Sequence, residues 1–287
     1  MKNDTLKSLL PKFIEDLREK ARSPSTILAY RADLDQLILY LQDKSVVTTV
    51  DVQQSHLESF REYLLSQKYT PKSVSRKLNA IKTYFRWLVT QGSLSTDPSR
   101  QVAHPKTDPS TPKFLSQLEY RALRDLVRGD IRVATIIELV LQTGMRISEV
   151  ANIKISNAKD DKLKIEAYAT QPERTIPLNS SAKLAIKNYL PHRPKCDSDY
   201  LFVSKNGKPL AVRNIRASID RYIQKANIPK YSVNDLRTTF IVENLRAGVD
   251  IVLLSQVAGH KRLSTTERYL EIAETKEPGK KQNLQEL

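Results

Sequence analysis

A proline-rich segment divides this 287-residue chain into two parts of different character. Residues 101–113, QVAHPKTDPSTPK, carry three prolines and few apolar side chains, which is typical of an extended linker. A chain of this length more often forms two domains than one. We therefore predict an N-terminal domain over residues 1–100, a linker over 101–113, and a second domain with a C-terminal tail over 114–287.

The first hundred residues show four amphipathic helical patterns and no convincing strand. Apolar residues recur at helical spacing in each pattern, for example at Leu57, Phe60 and Leu64 in the third. The fourth pattern begins with Pro71 in its first turn and ends at Gly92, which are common residues at the two ends of a helix. The N-terminal domain is therefore predicted to be all helical.

The second domain is predicted to be mostly helical with a small antiparallel sheet, so the fold class is mainly α (α+β). Ser116 and Glu119 have the spacing of a capping box, and an apolar helix follows and ends at Gly144. Between residues 162 and 178 the apolar pattern changes to period two, which predicts a hairpin, with residues 200–204 as a third strand. Helical patterns resume at about Val212.

The charge balance points to a polyanionic partner. The chain has 47 lysines and arginines against 32 acidic residues, a net charge of +15, and a pI near 9.7. Both halves are basic, so both could contact one DNA duplex. The polar side of the fourth helical pattern includes Lys72, Arg76 and Lys77, which we predict as DNA contacts because a basic helix face can enter a groove. The alternative is a merely solvated basic face, which is common.

Cysteine content and hydropathy exclude several classes of protein. The single Cys196 has no partner for an internal disulfide or a cysteine zinc site, so we expect no metal and a reducing compartment. No segment approaches the ~18 uninterrupted apolar residues that a membrane span requires, and the N-terminus lacks the apolar core of a secretory signal. We therefore predict a cytoplasmic protein without membrane contact.

Three separate segments carry the residues that could perform chemistry. They are TGMRISEV at 143–150 with Arg146, SVNDLRTTF at 232–240 with Asn234 and Arg237, and GHKRLSTTERYLE at 259–271 with His260 and Tyr269. Each has an ordinary structural interpretation when taken alone: an arginine paired with the nearby glutamate, a capped helix start, and an aromatic residue on an amphipathic helix. Their order along one chain favours a functional interpretation over these structural ones.

That order resembles the tyrosine recombinases, also called the phage integrase family. SPSTILAYRADLDQLILYL and TPKSVSRKLNAIKTYFRWLVTQG look like the helical core-binding domain of that family, and LSQLEYRALRDL looks like the start of its catalytic domain. In size and layout the chain is most similar to Xer-like members, including transposon-encoded resolvases. The resemblance implies a two-domain, C-shaped clamp around duplex DNA, and site-specific recombination by a homotetramer on two DNA sites through a Holliday junction.

The resemblance also assigns roles to four residues. Tyr269 would be the nucleophile that forms a 3′-phosphotyrosine, which needs neither a metal nor a cofactor. Arg146, Arg237 and His260 would stabilise the negatively charged phosphorane, because fixed arginine forks match phosphate oxygens. A capping box, STTE at 264–267, is predicted to start a short helix just before Tyr269.

Two positions depart from the family pattern. Asn234 stands where the family has a histidine, and Ala169 stands where it has a lysine in a hairpin turn. An amide cannot take up a proton at neutral pH, and Lys164, the nearest upstream lysine, lies five residues back, roughly 16 Å along a strand. We therefore expect slow cleavage with DNA binding retained. Either the recombinase is naturally degenerate or both positions were altered; we favour alteration, because both are truncations inside intact motifs.

Two other functions remain open at this stage. A non-catalytic DNA-binding or regulatory protein could keep this fold, and Asn234 and Ala169 favour that reading. A type IB topoisomerase shares the chemistry, although the core-binding helices over residues 25–92 favour a recombinase. The sequence leaves open the target DNA site, the need for accessory factors, and whether the task is dimer resolution, integration or transposon resolution. The polar tail after Tyr269 either packs against a neighbouring protomer or is a disordered end.

Overall fold

The computed structural model describes residues 4–107, 111–159, 161–167 and 171–274. It divides the chain into two compact units, Met1–Ser110 and Thr111–Leu287, and each has its own hydrophobic core. The fold is mainly helical with one small antiparallel sheet, as predicted. Within the ranges that the structure describes, no helix combines the length and the apolar character needed to cross a membrane.

Over residues 4–107, the first unit is built from four helices, as the sequence predicts. Two begin with proline in the first turn, after the capping residues Ser23 and Thr70, whose side chains accept from backbone N–H groups inside the helix. Their apolar faces enclose a core with Phe13, Phe60 and Tyr84 at its centre. The helices are α1 (Leu6–Glu19), α2 (Pro24–Asp43), α3 (Gln54–Ser66) and α4 (Pro71–Thr90).

The beginning of the proline-rich segment packs onto the first unit. Val102 is buried in the core of that unit. The carbonyl oxygen of Ala103 accepts a hydrogen bond from Arg61 at 2.9 Å, and Nδ1 of His104 lies 2.9 Å from the hydroxyl of Ser75. Residues 102–104 therefore belong structurally to the first unit.

The second unit surrounds a central apolar helix. This helix, Ile131–Thr143, is buried along most of its length and packs against the helices Gln117–Val127, Ser180–Tyr189 and Val233–Arg246. Its N-cap is Asp130, and the predicted capping box of Ser116 and Glu119 starts the preceding helix. The helices are α5 (Gln117–Val127), α6 (Ile131–Thr143), α7 (Ile147–Asn152), α8 (Ser180–Tyr189), α9 (Val212–Lys225), α10 (Val233–Arg246), α11 (Ile251–Ala258), α12 (Ser264–Glu267) and α13 (Leu270–Glu274).

The sheet contains the predicted hairpin but a different third strand. Strands β1 (Ala158–Lys159), β2 (Lys162–Ile165) and β3 (Arg174–Pro177) pair antiparallel in the order β1-β2-β3. The prediction of a strand at 200–204 is wrong, because this segment forms only single antiparallel bridges. Its residues 201, 202 and 203 are all buried. A run buried on both sides gives no period-two signal, so the pattern could not identify its structure.

Gly144 makes the turn that brings α6 and α10 into close contact. Its φ of +63° is in the left-handed region, which ends α6. A Cβ atom at this position would overlap with Cδ1 of Phe240 on α10. The glycine therefore serves both the backbone conformation and the packing of the two helices.

Replacing Gly144 with alanine should destabilise the second unit through both effects. We expect Gly144→Ala to cost about 1–2 kcal/mol for the left-handed backbone and a further ~1–3 kcal/mol for the overlap with Phe240. Gly248→Ala is the matched control, because Gly248 has φ +79° but no atom within 4 Å of an added Cβ. Urea unfolding of the two variants would measure the difference, and equal losses would contradict the packing role of Gly144.

Candidate active site

Arg146 lies at the start of α7, two residues after the turn at Gly144. Its backbone N–H donates to Oε2 of Glu149 at 2.8 Å, and its guanidinium donates to Oε1 of the same carboxylate at 3.1 Å. The guanidinium also donates to the carbonyl oxygen of Gly259 at 2.8 Å. The side chain keeps 30% of its surface exposed. The expected pairing with Glu149 is therefore present, and part of the guanidinium still faces solvent.

Glu149 holds a second arginine that the sequence analysis missed. Arg174 on β3 donates to both oxygens of the Glu149 carboxylate at 2.8 Å, and its Nε donates to the carbonyl of Val257 at 2.9 Å. Burial alone would raise the pKa of Glu149, but the hydrogen bonds and charge of Arg174, with those of Arg146, hold it below its usual value. Nothing in the local pattern ERTIPL distinguishes this arginine from a solvent-facing strand residue.

Gly259 closes α11 against the same arginine. It has φ +67°, and a Cβ atom there would lie 2.7 Å from Cζ of Arg174. Only glycine fits this turn without displacing the guanidinium. The turn carries both the carbonyl that Arg146 binds and the next residue, His260.

Arg237 reaches the site from α10. Its guanidinium donates to the carbonyl oxygen of Gly144, which places it beside the segment that carries Arg146. Burial, followed by the positive charge of Arg146, lowers the pKa of Arg237 to about 9. The side chain therefore remains protonated at neutral pH.

His260 is neutral in this site at neutral pH. Burial lowers its pKa from 6.5 to about 4, and the charges of Arg237, Arg146 and Arg174 act in the same direction. Its Nδ1 lies 2.7 Å from the hydroxyl of Thr266. The imidazole can therefore donate only one hydrogen bond, from whichever ring nitrogen carries its single proton.

Tyr269 lies between α12 and α13 with its ring half-buried. The ring is stacked against the imidazole of His260, with centroids 6.3 Å apart and planes within 10°. It also packs against a small apolar cluster that includes Phe240 and Leu254. A short helix does precede it, but the predicted STTE capping box is wrong, because Leu263 is the N-cap and Ser264 is already helical.

Of the two positions that depart from the family pattern, the structure describes only one. Asn234 is exposed on α10, one turn before Arg237, and its amide has no hydrogen-bond partner within the described residues. Ala169 lies outside the described residues. Lys164 on β2 forms an ion pair with Glu173 at 3.0 Å.

Of the three DNA contacts predicted on α4, one is buried and two have exposed side chains. Lys77 is buried, and its ammonium donates to Asp33 at 2.9 Å and to Gln36 at 2.8 Å. Arg76 forms a two-pronged ion pair with the same aspartate, although half of its side chain is exposed. This placement argues against Lys77 as a DNA contact, and Lys72 is exposed.

A second basic surface was missed by sequence reasoning. Helix α9 exposes Arg213, Arg216 and Arg221, and none of the three has an ion-pair partner among the residues described. Four arginines and lysines alternating with buried isoleucines in VRNIRASIDRYIQK would have been the signal. We call this surface the α9 basic face.

Comparison with known proteins connects both units to one group of proteins. A family model described as "Phage integrase family" matches residues 113–276, and one described as "Phage integrase, N-terminal SAM-like domain" matches residues 10–92. Tyrosine recombinase XerC of Staphylococcus saprophyticus is 29% identical over 263 residues, covering 88% of both chains. The first model spans all four side chains that converge in the site.

The structures of XerA recombinase and of lambda integrase are among the solved structures that are similar to this chain. The crystal structure of XerA recombinase is 26% identical with a TM-score of 0.53, covering 91% of this chain and 92% of the other. A lambda integrase tetramer bound to a Holliday junction is 17% identical with a TM-score of 0.73, covering 90% of this chain and 78% of the other. The second likeness concerns the fold alone.

The buried, neutral His260 makes stability depend on pH in a defined window. The unfolded chain takes up a proton at this histidine below a pH of about 6.5, but the folded protein does so only below about 4. Stability should therefore fall as the pH is lowered through this window, and His260→Gln should reduce that fall. Urea unfolding of both proteins at several pH values measures it; identical pH dependences would contradict a neutral imidazole.

Proposed function

The chain belongs to the phage integrase family, the tyrosine recombinases, and on this premise we propose that it performs site-specific recombination of duplex DNA. One observation carries the proposal. Segments far apart in the sequence bring the side chains of Arg146, Arg237, His260 and Tyr269 to one place. The structural interpretation of each residue alone gives no reason for this convergence.

Cleavage begins with the phenol oxygen of Tyr269 as the nucleophile. It attacks the phosphorus of the scissile phosphodiester and loses its proton to water. The bond between phosphorus and the 5′-oxygen breaks, and that oxygen leaves as a hydroxyl once it has gained a proton. The product is a 3′-phosphotyrosine, which keeps the phosphodiester energy in a covalent bond. Attack by a 5′-hydroxyl of another strand reverses these steps and seals the exchanged strands.

The arginines stabilise the charge that develops during attack. Arg146 and Arg237 have fixed positions, and each would donate to a non-bridging oxygen of the phosphorane. His260 adds a neutral N–H donor. Because these groups are held in place before DNA binds, they need little rearrangement in the transition state.

Proton transfer is the weak part of this site. Asn234 can hydrogen-bond to a phosphate oxygen, but its amide cannot accept the phenol proton. Ala169 offers no ammonium group to protonate the 5′-oxygen. Each missing general acid or base is typically worth ~10²–10⁴-fold in rate. The chain is thus an attenuated recombinase that binds DNA normally and cuts it slowly.

Charge supports duplex DNA as the partner. The net charge of +15 favours a polyanion, and the α9 basic face presents three arginines without ion-pair partners among the described residues. A homotetramer on two DNA sites, working in the cytoplasm through a Holliday junction, is the assembly that this function implies. The likeness in fold to the lambda integrase tetramer is consistent with it.

The nucleophile can be tested with a nicked suicide substrate. Footprinting of DNA flanking the gene would identify the bound duplex, and a nick beside the scissile phosphate prevents resealing. We expect a covalent protein–DNA adduct that forms slowly and is detected on a denaturing gel. Tyr269→Phe lacks the attacking oxygen but keeps the ring, so it should bind the duplex equally and form no adduct.

The same assay separates the alternatives. An adduct that persists in the phenylalanine variant would contradict the role of Tyr269, and binding without any adduct would favour a non-catalytic member of the fold. Relaxation of plasmids that lack the bound sequence would favour a topoisomerase.

Restoring the two proton-transfer groups should accelerate cleavage. We expect Ala169→Lys with Asn234→His to raise the single-turnover cleavage rate by at least ~10²-fold, since each group alone can contribute that much. The control is Ala169→Met with Asn234→Gln, which adds comparable bulk but no titratable group. Equal rates in the parent chain and the restored variant would rule out attenuation at these positions.

A further inference from the structure

We propose that Thr266 is a positioning residue that holds His260 in the tautomer with hydrogen on Nε2, so that this nitrogen donates to the scissile phosphate. The phosphate contact rests on the proposed function, whereas the tautomer follows from the protein structure. The proposal therefore makes one statement that can be tested without DNA and one that needs it.

The first step concerns the position of the Thr266 side chain. Thr266 is in α12 and is fully buried, with 0% of its surface exposed. Its Oγ1 lies 2.7 Å from Nδ1 of His260, which is a normal distance for a hydrogen bond involving a hydroxyl group. The hydroxyl therefore contacts one identified ring nitrogen.

The second step decides which atom is the donor. Nδ1 of His260 is the only hydrogen-bond partner of the Thr266 hydroxyl among the residues that the structure describes. If Nδ1 carried the proton and donated it, the hydroxyl hydrogen would be buried without an acceptor, which is costly. The hydroxyl therefore donates to the Nδ1 lone pair, and the single proton of the neutral imidazole lies on Nε2.

The third step connects the tautomer to the reaction. A phosphate oxygen accepts hydrogen bonds, so an Nε2–H group attracts it, whereas an Nε2 lone pair would repel it. Burial, followed by the surrounding arginine charges, disfavours a doubly protonated ring, which would present an N–H in either arrangement. Because the ring is neutral, the direction of the Thr266 hydrogen bond decides whether Nε2 of His260 attracts or repels the phosphate oxygen.

Thr266 also contacts the nucleophile through its backbone. Its carbonyl oxygen accepts a hydrogen bond from the N–H of Tyr269 at 2.9 Å. One residue therefore joins the imidazole, through its side chain, to the phenol-bearing turn, through its main chain. Side-chain substitutions that keep α12 intact leave the second contact in place and isolate the first.

Two substitutions separate the hydroxyl from the shape of the side chain. Thr266→Val keeps the branched shape and removes the hydrogen bond, whereas Thr266→Ser keeps the hydroxyl and removes a methyl group. The first readout is the ¹⁵N NMR spectrum of the histidine rings in the free protein, which distinguishes protonated from unprotonated nitrogens. The chain has four histidines, and His260→Gln assigns the signal of interest.

The expected spectrum shows His260 protonated on Nε2 in the parent chain and in Thr266→Ser, and a mixture of tautomers in Thr266→Val. A parent chain protonated on Nδ1 would overturn the proposal by itself, even if neither variant folded. This readout requires no activity, so its result stands whether or not the chain cleaves DNA.

The second readout is single-turnover cleavage of the suicide substrate at saturating protein, with Ala169→Lys and Asn234→His introduced for speed. We expect Thr266→Val to slow the chemical step about tenfold or more, less than the ~10²–10³-fold effect of losing a donor outright. Thr266→Ser should stay within about twofold, and DNA affinity should not change.

The outcomes of the two readouts are distinct. Equal cleavage by the valine variant and its parent would overturn the positioning role while leaving the recombinase function intact. Equal losses in the serine and valine variants would also overturn it, because a packing defect would explain both. The expected tautomers without cleavage in any variant would confirm the hydrogen bond and contradict the proposed function.

Discussion

The rest of the site depends on the ion pairs that the buried carboxylate of Glu149 forms with arginine side chains. Three guanidinium groups, those of Arg146, Arg174 and Arg237, lie close enough to affect one another or the same histidine electrostatically. Gathering three positive charges in a partly buried space is unfavourable unless a negative charge offsets them. Glu149 binds two of the three directly and leaves a net charge of +2. That excess would offset the two negative charges of the phosphorane in the proposed reaction.

The ends of two helices place the remaining charges. Arg237 binds the carbonyl at the C-terminus of α6, and Arg146 binds the carbonyl at the C-terminus of α11. Each helix is followed by a C-cap glycine with positive φ, and the carbonyl of that glycine is the one that the guanidinium binds. The negative end of a helix dipole favours a cation, so each guanidinium gains a fixed acceptor and a favourable local field. The glycines in TGMR and AGHK therefore supply the carbonyls that position Arg237 and Arg146.

The sequence predicted those features whose cause is local. Amphipathic spacing and capping residues determine the four helices of the first unit and the apolar helix that Gly144 ends, so patterns of about fifteen residues were sufficient. Features that depend on tertiary contacts were not visible. Helix α8 was not foreseen, and Arg174 was missed because its partners Glu149 and Val257 are distant along the chain.

The basic residues of α4 show that a pattern along one helix can also predict exposure for a side chain that tertiary contacts bury. Lys77 occupies a polar position in the helical pattern, but Asp33 of another helix draws it into the interior. A pattern along one helix records neither that aspartate nor its charge. The capping box at 264–267 failed for a related reason: residue spacing was right, yet the backbone was already helical at Leu263.

The structure also shows that the side chain of Asn234 is not needed to position Arg237. Asn234 is exposed near the start of α10, and within the described residues its side chain holds nothing in place. Arg237 is anchored one turn later by the carbonyl of Gly144, a contact that does not involve residue 234. The capping residues Ser232 and Asp235 fix the start of the helix independently. Because no described element of the fold depends on the side chain of residue 234, a substitution there should leave the positions of the arginines unchanged, and the proposed binding and cleavage could then vary separately.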